Sequence, residues 1–130
     1  MSEPRDGADH RVRILGFWGT PENRALPDPA DLVDAAWDES ERHWVADYLD
    51  HGQVAGSWMG VSRCRLCALP NGYRDLTDGS FLWPEGLAHY VRDHGVRLPA
   101  EFVDHMEQRL RALDELETDG SWWLRNAART

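Results

Sequence analysis

Cys64–Pro99, CRLCALPNGYRDLTDGSFLWPEGLAHYVRDHGVRLP, carries the architecture of this chain. Two cysteines stand three positions apart, and His89 and His94 follow on a segment with helical character. The spacing is C-x2-C-x21-H-x4-H. Between the pairs, Asn71-Gly72 and Asp78-Gly79 are turn signals that bracket two short strands, Tyr73–Leu76 and Ser80–Trp83. Pro84 is expected to open a helix at its first position, and Gly95 to stand just past its end. A knuckle, a hairpin and a helix in that order present two thiolates and two imidazoles, the donor set that structural Zn²⁺ takes in a tetrahedron.

Two features depart from a standard Cys2His2 finger. The gap from Cys67 to His89 is 21 residues, where about 12 is usual. Residues five apart also lie about 140° apart around an ideal helix, so His94 joins His89 only if the chain tightens or leaves the helix there, and Gly95 offers that exit. A redox dithiol is the competing reading of CxxC, but no βαβ pattern surrounds it. A disulfide would need an oxidising compartment. Asp93 is placed to orient a ligating imidazole, although a charge at a helix end is commonly just solvated. His10, His43, His51 and His105 have no such company, and His43 and His105 read as surface residues.

The same stretch resembles the CxxC–hairpin–helix–HxxxxH core of small bacterial zinc-finger-like proteins. WPEGLAHYVRDH and the VRLP that follows carry the likeness, over about a quarter of the chain. The resemblance implies one bound zinc through Cys64, Cys67, His89 and His94, and no established activity.

Outward from this core, LPDPADLVDAAW predicts a helix with Asp28 at the N-cap and Pro29 at the first position. A second helix follows, with Asp38 and Glu41 in capping-box spacing, an apolar stripe of Trp44, Val45, Tyr48 and Leu49, and Gly52 as its stop. Val54–Val61 reads as extended, and Arg11–Trp18 has a β-rich apolar patch. On the far side, residues 99–118 predict a long helix with the stripe Phe102, Val103, Met106, Leu110 and Leu113. Residues 1–10 read as disordered. The expectation is a single α+β domain over residues 1–130. Its zinc-binding ββα core, Cys2His2 or treble-clef-like, occupies 62–97 and is flanked by N- and C-terminal helices.

Composition narrows the function. No apolar run approaches the roughly 20 residues of a membrane span, and Met1–Arg13 lacks the apolar region of a secretory signal, which points to the cytoplasm. All 14 basic residues are Arg, so lysine-based covalent or phosphate chemistry is closed. The net charge is −9, whereas a nucleic-acid binder shows a basic footprint. Residues 62–97, with five Arg and four Asp/Glu, reach only +1. The helix start Pro84–Ala88 has little to offer base edges. An HNH-like nuclease would need a His in the hairpin, and none occurs between Cys67 and Trp83.

Seven tryptophans in 130 residues are the remaining signal. Trp44 and Trp83 lie within predicted elements and are expected in the core. Trp122 and Trp123 are adjacent and near the end of the chain, which marks them as contact residues, since Trp is enriched at interface hot spots. The function expected from sequence is a non-enzymatic, zinc-stabilised module, an adaptor or an inhibitor of the immunity type, that binds a protein partner. A nucleic-acid-binding regulator is the alternative.

Overall fold

Four short strands form one sheet in the order β1-β4-β3-β2. They are β1 (Arg13–Ile14), β2 (Gln53–Ser57), β3 (Arg74–Thr77) and β4 (Phe81–Pro84). Four helices complete the described chain: α1 (Glu39–Asp50), α2 (Leu87–His94), α3 (Ala100–Asp114) and α4 (Ser121–Asn126). The fold class is therefore α+β. The structure is a computed structural model that describes residues 11–127, so the expectation for residues 1–10 lies outside the described residues. The chain divides into two compact units, Met1–Pro99 and Ala100–Thr130.

In the first unit the β3–β4 hairpin forms one residue later than expected. Gly79 adopts φ +95°, a conformation that glycine reaches without penalty. Asp78 Oδ1 accepts the N–H groups of Ser80 and Phe81, both at 2.9 Å, and Tyr48 of α1 donates to Asp78 Oδ2 at 2.6 Å. On the other flank, β1 joins β4 in parallel, with Arg13 opposite Phe81 and Ile14 opposite Leu82.

Pro84 ends β4 and does not open the helix. It faces Asp75 across the hairpin, and the next residue resumes the ladder through Glu85 N–H to Arg74 O, 2.8 Å. The missing N–H of Pro84 thus points away from β3 and removes no bond to it. The helix starts three residues on, at Leu87, with Gly86 as N-cap. A Cβ at Gly86 would lie 2.3 Å from the Asn71 backbone oxygen.

The helix expected after Asp28 is reduced to a single 3-10 turn, Pro29–Leu32. The capping itself is as expected, since Asp28 Oδ1 accepts Ala30 N–H at 2.9 Å. The chain then pairs with the segment after α2: Asp34 N–H donates to Gly95 O and Arg97 N–H to Leu32 O. Those bonds need an extended backbone at Val33, which ends the turn.

Helix α1 begins at the predicted cap, with Asp38 Oδ2 accepting Glu41 N–H at 2.8 Å. It buries Val45, Ala46 and Leu49, and packs on α2, which buries Leu87, Ala88, Tyr90 and Val91. Trp83 lies at the centre of this core with 0% exposure, and its indole N–H donates to Leu49 O at 3.1 Å. Trp44, expected in the core, is 40% exposed; the inward face of α1 is set by Val45 and Leu49. Gly52 does not supply a left-handed stop. It is the place where the chain passes Trp83, whose ring would lie 2.6 Å from a Cβ there.

In the second unit, α3 covers Ala100–Asp114 of the expected helix and buries Phe102, Val103 and Met106. Trp122 and Trp123 lie on the short helix α4. No helix among the described residues is long and apolar enough to cross a membrane.

Candidate metal centre

The backbone from Ser62 to Gly72 makes a tight knuckle. Cys64 N–H donates to Leu69 O at 2.9 Å, and Ala68 N–H returns to Cys64 O at 2.8 Å. Closing this turn puts Ala68 at φ +67°. Leu66 N–H points at Cys64 Sγ, 3.4 Å away. Ser62 fastens the base of the knuckle by donating its hydroxyl to the carbonyls of Asn71 and Gly72.

Helix α2 is tied to the knuckle by a hydrogen bond from Arg65 N–H to the Tyr90 hydroxyl at 2.8 Å, and its N-cap Gly86 by one from the Asn71 amide at 3.2 Å. Nothing in the sequence pattern singled out Tyr90. Burial pushes its hydroxyl above the ordinary value of 10.0, against the hydrogen bond from Arg65, and the Cys64 sulfur pushes the same way. The Trp18 ring meets the Tyr90 ring edge to face, with centroids 5.2 Å apart.

The four residues selected from the sequence come together. One donor atom each from Cys64, Cys67, His89 and His94 lies within 4.8 Å of the others, close enough to bind a metal ion. Cys64 is buried and Cys67 exposed, and both are free thiols. His89 Nε2 is 3.3 Å from Cys67 Sγ. Adjacent thiolate and imidazole donors on one tetrahedral ion, with bonds of about 2.0–2.3 Å, stand about 3.5 Å apart. The other ring nitrogen of His89 lies 2.7 Å from Asp93 Oδ2. An ionised carboxylate can only accept, so Nδ1 carries the proton and Nε2 presents its lone pair to the cluster.

His94 solves the helical-phase problem by being the last residue of α2. Gly95 follows at φ +68°, and its N–H and that of Val96 take up the Val91 and Tyr90 carbonyls. The two imidazoles stand almost perpendicular, with centroids 4.9 Å apart and an 87° angle between planes. His94 Nε2 is buried with no hydrogen-bond partner. A buried imidazole nitrogen left without a bond is costly, and a metal ion at the cluster would satisfy it.

The remaining histidines lie apart from this cluster where they are described. His43 is exposed, His51 bonds Asp47 O through Nδ1 at 2.6 Å, and His105 lies half-buried beside the Phe102 ring; His10 falls outside the described residues. Comparison with known protein families, curated proteins and solved structures finds no match for this chain.

Proposed function

We propose that Cys64, Cys67, His89 and His94 hold one structural Zn²⁺ per chain, that residues 62–97 form a zinc-finger-like ββα core around it, and that the protein is a non-enzymatic module binding a protein partner. Two thiolates and two imidazoles suit zinc better than the hard cations that prefer oxygen. Four protein ligands leave no position for water, which is the arrangement of a structural site rather than a hydrolytic one.

The observation that carries the interaction reading is the exposure of Trp122 and Trp123, 63% and 64%. Their rings stack at 6.4 Å with 25° between planes, and Leu124 beside them is exposed as well. Adjacent tryptophans held open to water on a helix suit the anchoring role that Trp plays at protein interfaces. With a net charge of −9, the complementary partner presents a basic surface around an apolar groove.

The test is affinity capture from the host with the wild-type chain and with a Trp122→Ala/Trp123→Ala variant, with metal analysis of both baits. A protein retained stoichiometrically by wild type and lost by the variant, at equal zinc content, supports the reading. Identical capture by both baits, or a complex whose mass is mainly nucleic acid, overturns it.

A further inference from the structure

A cleft of about 360 Å³ opens beside the knuckle, on the Met1–Pro99 unit. That is the lower end of the range for small-molecule sites, roughly 300–1,000 Å³. Three separate segments contribute aromatic residues to its lining: Phe17 and Trp18 after β1, Trp58 after β2, and Tyr90 from α2. Arg63 and Arg65, on either side of Cys64, supply its charge. Among the described residues no Asp or Glu lines it, although the chain carries 23 of them and a net charge of −9.

Each guanidinium is steadied by a backbone carbonyl: Arg63 donates to Ala68 O at 3.1 Å and Arg65 to Gly19 O. A guanidinium has five N–H donors, so one neutral contact leaves most of the fork for a ligand. The backbone that carries the walls is fixed in place. The Arg65 backbone N–H is bonded to the Tyr90 hydroxyl, the Trp58 backbone N–H to Tyr73 O at 2.8 Å, and the Trp18 ring meets the Tyr90 ring edge to face. Ordering costs on binding are correspondingly small.

We propose that this cleft binds a small planar aromatic carboxylate, its ring between the aromatic walls and its carboxylate on Arg63 and Arg65. Flat apolar walls select a ring, and the arginine forks match a carboxylate in charge and geometry. Every residue that lines the cleft belongs to the Met1–Pro99 unit.

The test is a titration of the full-length protein with naphthoate, followed by two-dimensional NMR of the tryptophan indole N–H signals. Naphthylmethanol and acetate serve as the neutral-ring and ring-free comparisons. Saturable shifts at Trp18 and Trp58 are expected, with the Trp83 signal, sealed in the core, and those of Trp122 and Trp123 unmoved. The alcohol should bind at least about tenfold more weakly, since it loses the charge-assisted contacts to both arginines, and acetate alone should give no saturation. Arg63→Gln, at an exposed position, should erase much of the preference for the acid, with circular dichroism showing the fold intact. No saturation with naphthoate, equal binding of acid and alcohol, or shifts confined to Trp122 and Trp123 overturns the proposal, and each is read on the wild-type chain.

Discussion

Asp93 Oδ2 lies 2.7 Å from His89 Nδ1, one helical turn along α2. The carboxylate fixes the tautomer of the imidazole and turns its Nε2 toward Cys67 Sγ. Partners of this kind raise ligand basicity and typically contribute about 10–100-fold to metal affinity. Asp93→Ala should therefore weaken zinc binding by roughly that factor in a chelator competition. Asp93→Asn, which keeps an acceptor but no charge, should lose less. Equal affinities for wild type and Asp93→Ala would remove Asp93 from the site.

Stripping the metal should unfold at least residues 62–97. Structural zinc contributes an apparent 10–16 kcal/mol, in order of magnitude, in small finger peptides, against a total stability of about 5–15 kcal/mol for ordinary domains. Cys64→Ser, Cys67→Ser and His89→Ala should each lower zinc content and melting temperature together. His94→Ala is the discriminating variant, because His94 reaches the cluster only as the last residue of α2. One tightly held zinc and a near-native melt in that variant would mean that a water or another residue completes the site, and would reopen a catalytic reading.

Ala68 pays for the knuckle with backbone strain. At φ +67° a residue with a Cβ is held at a cost of roughly 1–2 kcal/mol, while glycine in its place loses about 0.4–1 kcal/mol through the unfolded chain. Ala68→Gly should raise stability by about 0.5–1 kcal/mol at unchanged zinc stoichiometry. Ala68→Val should lower it, since a β-branched residue tolerates this region least. Denaturant midpoints of the three proteins, with equal slopes, provide the comparison.

Glu85 supplies a pH-dependent part of the stability. The Arg74 guanidinium, 2.8 Å away, holds its carboxyl below the ordinary value of 4.5, helped by the backbone N–H groups of Tyr73 and Arg74. With the folded value depressed, the contribution is complete above 4.5 and disappears as pH falls through the folded value. Both side chains meet solvent, so the pair is worth at most about 1 kcal/mol. Glu85→Gln should cost up to about that at neutral pH. The gap to wild type in urea unfolding should close as the solution is acidified past the folded value. A gap that stays constant across that range would show the ion pair to be irrelevant.

Nucleic acid should be ignored at physiological salt. Binding of this kind draws on many phosphate contacts, and residues 62–97 bring only five Arg against four carboxylates within a chain of −9. Mobility shifts with DNA and RNA across a salt series decide the matter. Micromolar binding that survives moderate salt would displace the protein-interaction reading in favour of a nucleic-acid regulator.

The sequence by itself determined the pieces whose chemistry is complete within a few residues. The Asp28 and Asp38 caps, the Asp78-Gly79 turn and the left-handed Gly95 all depend on local hydrogen bonds or on a φ that few residues accept, so spacing alone located them. The four donor residues were legible from their type and order, a CxxC pair followed by two histidines near a helix end, while the approach of His94 to His89 came from its place as the last residue of α2 before Gly95. Tertiary structure decided everything that depends on a distant neighbour. Val33 leaves its helix because Asp34 and Leu32 pair with Gly95 and Arg97, more than sixty positions away. Trp44 faces solvent while Trp83 is sealed, although both sit in apolar patterns, because Val45 and Leu49 claim the inner face of α1. The aromatic cleft joins Trp18, Trp58 and Tyr90 from three segments. No local periodicity encodes such a meeting, because it comes from long-range packing that places unrelated stretches of chain side by side.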